Sequence, residues 1–122
     1  MIGYVTLGTN DMARASGFYD ALFAVVGGKR LMDMGAFISW GTQMGSPMLA
    51  VTKPYDGKPA TVGNGVMVAL QVDSKEKVNQ LHAKALALGG KDEGAAGPRG
   101  DGFYAGYFRD LEGNKLNAFF MG

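Results

Sequence analysis

Few side chains in this 122-residue chain have a type and a setting that could do chemistry. Tyr4 and Tyr107 can each give or take a proton, provided that a cation beside the phenol lets it act near neutral pH. Arg99, in the glycine-rich run Gly94 to Gly102, can clamp an anion with two parallel hydrogen bonds. Asn117 offers a donor and an acceptor together, which orients a polar group in an apolar pocket. The single histidine, His82, stands one residue after Leu81 and four after Val78, and reads as a helix-face side chain, solvated or half-buried. A histidine-dependent triad is not expected. Cysteine is absent, which removes thiol catalysis, disulfides and cysteine-held zinc together. Asp110, Glu112 and Asn114 bracket a tight turn, where Asp and Asn bond the adjoining backbone. A calcium loop would need about twelve residues ending in a bidentate Glu.

The elements that position these groups follow from period and punctuation. Ile2 to Thr9 reads as a strand, with Val5 and Leu7 on one face and Tyr4 and Thr6 on the other. Met12, Ala15, Phe18, Tyr19, Leu22, Phe23 and Val26 then recur at helical spacing, capped by Asn10 or Asp11 and stopped by Gly27-Gly28. Three short strand-like runs follow, 29–34, 36–40 and 48–52, divided by Gly35 and by a turn cluster from Gly41 to Pro47. After a linker rich in Pro, Gly and Lys the same order returns. A strand from Val66 to Val72 leads to a helix capped by Asp73 or Ser74, with Val78, Leu81, Ala85 and Leu88 as its apolar stripe and Gly89-Gly90 as its stop. A weaker strand near 91–95 and two firm ones, 103–109 and 115–121, complete it.

The chain is therefore a βαβββ repeat within a single domain over 1–122: module 1 about 1–53, linker 54–64, module 2 about 65–122. The aliphatic strand faces pack on the helices, which leaves Tyr4, Met67 and Gln71 on the faces away from them. Aligning the halves sets Gly3-Tyr4-Val5 on Val66-Met67-Val68, and Met48-Leu49-Ala50 on Leu116-Asn117-Ala118.

Composition narrows the partners. Twelve Lys and Arg against eleven Asp and Glu leave a net charge of +1, shared evenly between the halves, so no basic lobe exists for nucleic acid. No apolar stretch approaches the roughly 18 residues of a membrane span, and Met1-Ile2-Gly3-Tyr4-Val5 carries no basic leader, which points to a cytoplasmic protein without a membrane partner. Twenty glycines call for many turns, while 47% hydrophobic residues call for a packed core.

Several stretches together resemble a known group: the strand running into Asn10-Asp11, Gly17-Phe18-Tyr19-Asp20-Ala21-Leu22, Leu86-Ala87-Leu88-Gly89-Gly90, and the run from Phe103-Tyr104-Ala105-Gly106-Tyr107 through Arg109-Asp110-Leu111-Glu112-Gly113-Asn114 to Leu116. They look like the glyoxalase/bleomycin-resistance/extradiol-dioxygenase group, the vicinal oxygen chelate superfamily, over nearly the whole chain. The resemblance implies an α+β fold in which two βαβββ modules form a cupped half-barrel sheet with helices on the outer face. It also implies a homodimer, and it puts His82 outside the pocket. In metal-using members one ligand, usually His or Glu, comes from the first strand of each module and one from the last. Those slots fall here on Tyr4 and Leu49, and on Met67 and Asn117. None is a competent ligand for a divalent metal held by imidazole and carboxylate, and no neighbour one residue away supplies one. No metal or other cofactor is expected.

The expected function is metal-independent binding of a small organic molecule. Tyr4, Trp40, Leu49, Met67, Arg99, Tyr104, Tyr107, Asn117 and Phe119 would line a mostly apolar cup, with Tyr4 and Asn117 as its polar fixing points. One alternative is a glyoxalase-like lyase or isomerase, or a dioxygenase-related enzyme, using Tyr4 or Tyr107, with Arg109 the other inward-facing titratable group. Another is an interaction module whose cup is filled by side chains. The run Gly94 to Gly102 serves either as a lid or as an ordinary surface connection.

Overall fold

Each module begins with a strand that hands over to a helix through a side-chain cap. β1 (Tyr4–Gly8) is followed by Asp11, whose Oδ1 accepts the Arg14 N–H at 3.0 Å and starts α1 (Met12–Ala24). In the second half β5 (Val68–Gln71) is followed by Ser74, whose Oγ accepts the Lys77 N–H at 3.1 Å and starts α2 (Lys75–Ala87). Both helices end alike. Gly27 and Gly89 take positive φ, 75° and 99°, and the next glycine donates back five residues, Gly28 to Phe23 and Gly90 to Ala85, each at 2.8 Å.

The remaining strands are β2 (Lys29–Asp33), β3 (Phe37–Gly41) and β4 (Met48–Thr52) in module 1, and β6 (Lys91–Pro98), β7 (Phe103–Arg109) and β8 (Lys115–Met121) in module 2. The computed structural model describes every residue from Met1 to Gly122 and divides into two units, Met1–Val62 and Gly63–Gly122. Each unit holds one four-stranded mixed sheet and one helix. Strand order is β1-β4-β3-β2 in the first and β5-β8-β7-β6 in the second, with the first strand parallel to the last and the other pairs antiparallel. This is the expected α+β arrangement of two βαβββ modules, and no helix is long and apolar enough to cross a membrane.

In module 1 the core lies between α1 and its sheet. Phe18, Tyr19, Leu22 and Phe23 are buried from the helix, against Leu7, Ile38, Trp40, Leu49 and Val51 from the strands. Burying each such side chain contributes on the order of 1.5–3 kcal/mol. The Trp40 ring lies 5.5 Å from that of Tyr19, and its Nε1 donates to Asp20 Oδ1 at 2.8 Å, so the buried indole N–H is satisfied. Arg30 grips the same carboxylate through Nε and Nη2, both at 2.8 Å, and holds the Asp20 carboxyl below the usual carboxylate range.

In module 2, Val78, Leu81 and Ala85 of α2 pack on Phe108, Leu116 and Ala118. His82 joins them: it is buried rather than solvated or half-buried, because Gly106 has no side chain and the imidazole lies directly on β7 there. β6 also departs from expectation. It continues to Pro98 instead of fading at 95, passing through irregularities between Asp92 and Gly94 and between Gly94 and Gly97. Half of the presumed loop is therefore strand.

Candidate functional site

Register and alternation sort each sheet into a helix face and a face away from the helix. In module 2, Tyr104, Gly106 and Phe108 of β7 face α2: Tyr104 Oη donates to Asn79 Oδ1 at 2.7 Å, and Gly106 and Phe108 lie beside His82. The intervening residues, Phe103, Ala105, Tyr107 and Arg109, therefore point the other way. Their partners on β8 are Met121, Phe119, Asn117 and Lys115, and Asn117 pairs in turn with Ala69 of β5. In module 1 the same logic puts Val5, Ile38, Trp40, Leu49 and Val51 toward α1, leaving Tyr4, Thr6, Phe37, Ser39, Met48 and Ala50 on the opposite face.

Three expected cup residues are thereby corrected. Trp40 and Leu49 are buried beneath α1 in the helix-to-sheet core, and the half-buried Tyr104 is tied to α2. The Leu49 error is one of register. Val5 pairs with Leu49 and Val68 with Leu116, so the residue equivalent to Asn117 is Ala50. The β3–β4 connection, between Gly41 and Met48, is one residue longer than the β7–β8 connection, between Arg109 and Lys115. A one-residue offset moves every side chain to the other face.

Tyr4, Met67, Tyr107, Asn117 and Phe119 do lie on strand faces away from the helices or, for Met67, just ahead of β5 in the same alternation. Tyr4 is largely exposed and meets Phe37 edge-on at 5.9 Å. Asn117 is 1% exposed, and its Oδ1 is sealed from solvent without a hydrogen-bond partner. Beside it the Phe119 ring stacks with Phe103 at 5.5 Å. Tyr107, directly opposite Asn117, has two cations over its ring: the Arg99 guanidinium at 5.5 Å and the Lys115 ammonium at 5.7 Å.

Arg99 is not a free arm of a flexible loop. Its Nη2 donates to Ala95 O at 2.6 Å and its Nη1 to Gly97 O at 2.9 Å, folding the guanidinium back over β6. Arg109 is also engaged, donating from Nε to Glu93 Oε1 at 2.7 Å and from Nη1 to Gly113 O. That hydrogen bond holds the Glu93 carboxyl below its usual range. Lys115 was missed in the sequence, although it stands two residues before Asn117 and so shares its face.

The turn after β7 is structural, as expected. Asp110 Oδ1 accepts the backbone N–H of Glu112 and of Asn114, both at 2.9 Å, and its Oδ2 accepts Asn114 Nδ2. A divalent metal of this kind would need imidazole or carboxylate donors on these faces. Tyr4, Ala50, Met67 and Asn117 offer no imidazole or carboxylate, and no three His, Cys, Asp or Glu side chains come together anywhere in the chain. The one carboxylate on the module 2 face, Glu93, is committed to Arg109. These residues do not fit such a metal.

Two βαβββ modules, each with a parallel first and last strand under one helix, define a recognised class of α+β protein. The chain belongs to the Glyoxalase/Bleomycin resistance protein/Dioxygenase superfamily, whose family model matches residues 1–118. Among solved structures it is similar to a glyoxalase/bleomycin resistance protein from Albidiferax ferrireducens, at 31% identity and a TM-score of 0.89, covering 100% of this chain and 99% of that one. A glyoxalase/bleomycin resistance protein/dioxygenase family enzyme from Burkholderia phytofirmans shares the fold at 20% identity and a TM-score of 0.78, covering 98% of each chain. So does lactoylglutathione lyase from Agrobacterium tumefaciens, at 22% identity and a TM-score of 0.69, covering 98% of this chain and 92% of that one. No curated protein matches the chain.

Proposed function

We propose that this chain is a metal-independent small-molecule-binding protein whose ligand docks on the module 2 sheet face away from α2. The observation that carries this is Asn117 Oδ1, a buried acceptor with nothing donating to it. An unpaired buried polar atom costs about 1–3 kcal/mol, which a ligand N–H or O–H would recover. The surroundings suit a small-molecule site: aromatic surface from Phe103, Tyr107 and Phe119, with charged side chains gathered around Tyr107. The superfamily's description pairs enzymes with a resistance protein, so membership accommodates binding without turnover.

A glyoxalase-like lyase or isomerase is the second reading. One observation favours it: Tyr107, whose phenol can give or take a proton, stands opposite Asn117 with two cations over its ring. Tyr107→Phe separates the two, since a binder keeps its ligand affinity while an enzyme loses turnover. Under either reading we propose a homodimer in the cytoplasm; sedimentation velocity checks the dimer.

The test is a thermal-melting screen of chelator-treated protein against small organic molecules. Native-state ligands raise the melting temperature by mass action. Compounds that stabilise the wild type but leave Asn117→Leu unmoved are expected. If every stabilising compound needs added metal, or acts equally on Asn117→Leu, the proposal fails.

A further inference from the structure

The face that holds Asn117 has an order along β8 that narrows the ligand's chemistry. Lys115, Asn117 and Phe119 alternate onto one face of the strand, opposite Arg109, Tyr107 and Ala105 of β7. Same-face residues of a strand stand about 6.4–6.8 Å apart. A cation, an unpaired acceptor and an aromatic ring thus follow one another in a line. The ends of this line are as distinct as its middle.

At one end, the Lys115 ammonium lies over the Tyr107 ring at 5.7 Å and forms no ion pair; Glu93, a carboxylate that feels its charge, is held by Arg109 at 2.7 Å. Arg99 adds a second cation over Tyr107. Three cations, Arg99, Arg109 and Lys115, therefore share this face with a single carboxylate. At the other end, Phe119 and Phe103 stack and present only apolar surface. Between them Asn117 Oδ1 can only accept a hydrogen bond.

We infer that the ligand of this face is an organic acid in which an apolar group, an N–H or O–H donor and a carboxylate follow one another, as in an N-acyl amino acid. The inference rests on the reading of this face as the binding face. The carboxylate pairs with Lys115, the donor satisfies Asn117 Oδ1, and the apolar group packs on Phe119. A neutral ligand would leave the ammonium without a partner, and a cationic one would meet like charge.

Three probes test each contact by calorimetric titration of the full chain. N-Benzoylglycine carries all three features. N-Benzoylglycinamide replaces its carboxylate with a neutral amide, and 3-benzoylpropanoate replaces its N–H with a methylene. N-Benzoylglycine is expected to bind the wild type ~10-fold more tightly than either analogue, as loss of one charge-assisted or buried hydrogen bond predicts. Lys115→Met is expected to erase the preference over the amide, and Asn117→Leu the preference over the methylene analogue. The three wild-type titrations decide the matter even if a variant folds poorly. Equal binding of the acid and either analogue, or of none, overturns the inference. If neutral compounds from the melting screen still depend on Asn117, the binding face stands and only the ligand class falls. If all binding is indifferent to Asn117→Leu, both fall.

Discussion

The Nε2 of His82 lies 3.1 Å from Asp92 Oδ1, so the chain's one histidine ties α2 to β6 on the helix side of the module 2 sheet. Asp92 also accepts the Gly94 N–H at 2.9 Å, where β6 becomes irregular. The Gly94 hydrogen bond first and His82 second hold its carboxyl below the usual range. The imidazole reaches this position because β7 carries glycine at 106.

Gly106→Ala tests that packing. The added Cβ would stand 3.1 Å from Cβ, Cγ and Cδ2 of His82, three contacts tighter than ordinary van der Waals separation. Overpacking of this kind costs about 1–3 kcal/mol. Urea denaturation should show a lowered midpoint with an unchanged slope; an unchanged midpoint would mean that the helix shifts freely on the sheet.

Gly17→Ala should act in the opposite direction. Gly17 lies inside α1, exposed, with nothing within 4 Å of a Cβ built there. Alanine in a helix interior is favoured over glycine by about 0.5–1 kcal/mol, and a rise in melting temperature measures it.

Acid should weaken the fold through Asp20. Its carboxyl is depressed chiefly by the Arg30 hydrogen bond, so it contributes stability above its unfolded pKa and loses that contribution as pH falls through its folded pKa. The loss belongs below about pH 4. Because the Asp20 side chain is 44% exposed, solvent screening keeps the ion pair under about 1 kcal/mol. Asp20→Asn preserves an acceptor for Trp40 and should flatten the acid limb of melting temperature against pH. Asp20→Ala strands the buried indole N–H and should cost about 1–3 kcal/mol at every pH.

Asn117→Leu should stabilise the ligand-free protein. It replaces an unpaired buried amide oxygen by apolar surface of similar size, a gain of about 1–3 kcal/mol in urea denaturation. Stability gained where binding is lost is the signature of a residue kept for a ligand. A destabilised variant would show that Oδ1 has a partner in solution.

Most of the fold was legible because the two helices carry both a periodic stripe and paired terminal signals, Asp11 with Gly27 and Ser74 with Gly89. β7 and β8 were legible to the residue, since Asp110 and Asn114 mark their turn. β6 was not: Gly94, Ala95, Ala96 and Gly97 have no alternation to read, and the strand continues only through local irregularity. The strand face of Tyr107 and Asn117 was legible by period alone. Trp40 and Tyr104 show the limit, because aromatic size does not say which face a side chain takes. Leu49 shows another, because one extra residue in a connection reverses the faces of the strand behind it.

The central claim is binding without a metal, and metal content tests it most directly. Tag-free protein, purified without chelator and supplied in turn with nickel, zinc, manganese and iron, is dialysed and measured by elemental mass spectrometry. Far less than one metal per chain is predicted, because Tyr4, Ala50, Met67 and Asn117 supply neither imidazole nor carboxylate. One tightly held metal per chain would contradict the account and return the protein to metal-dependent chemistry.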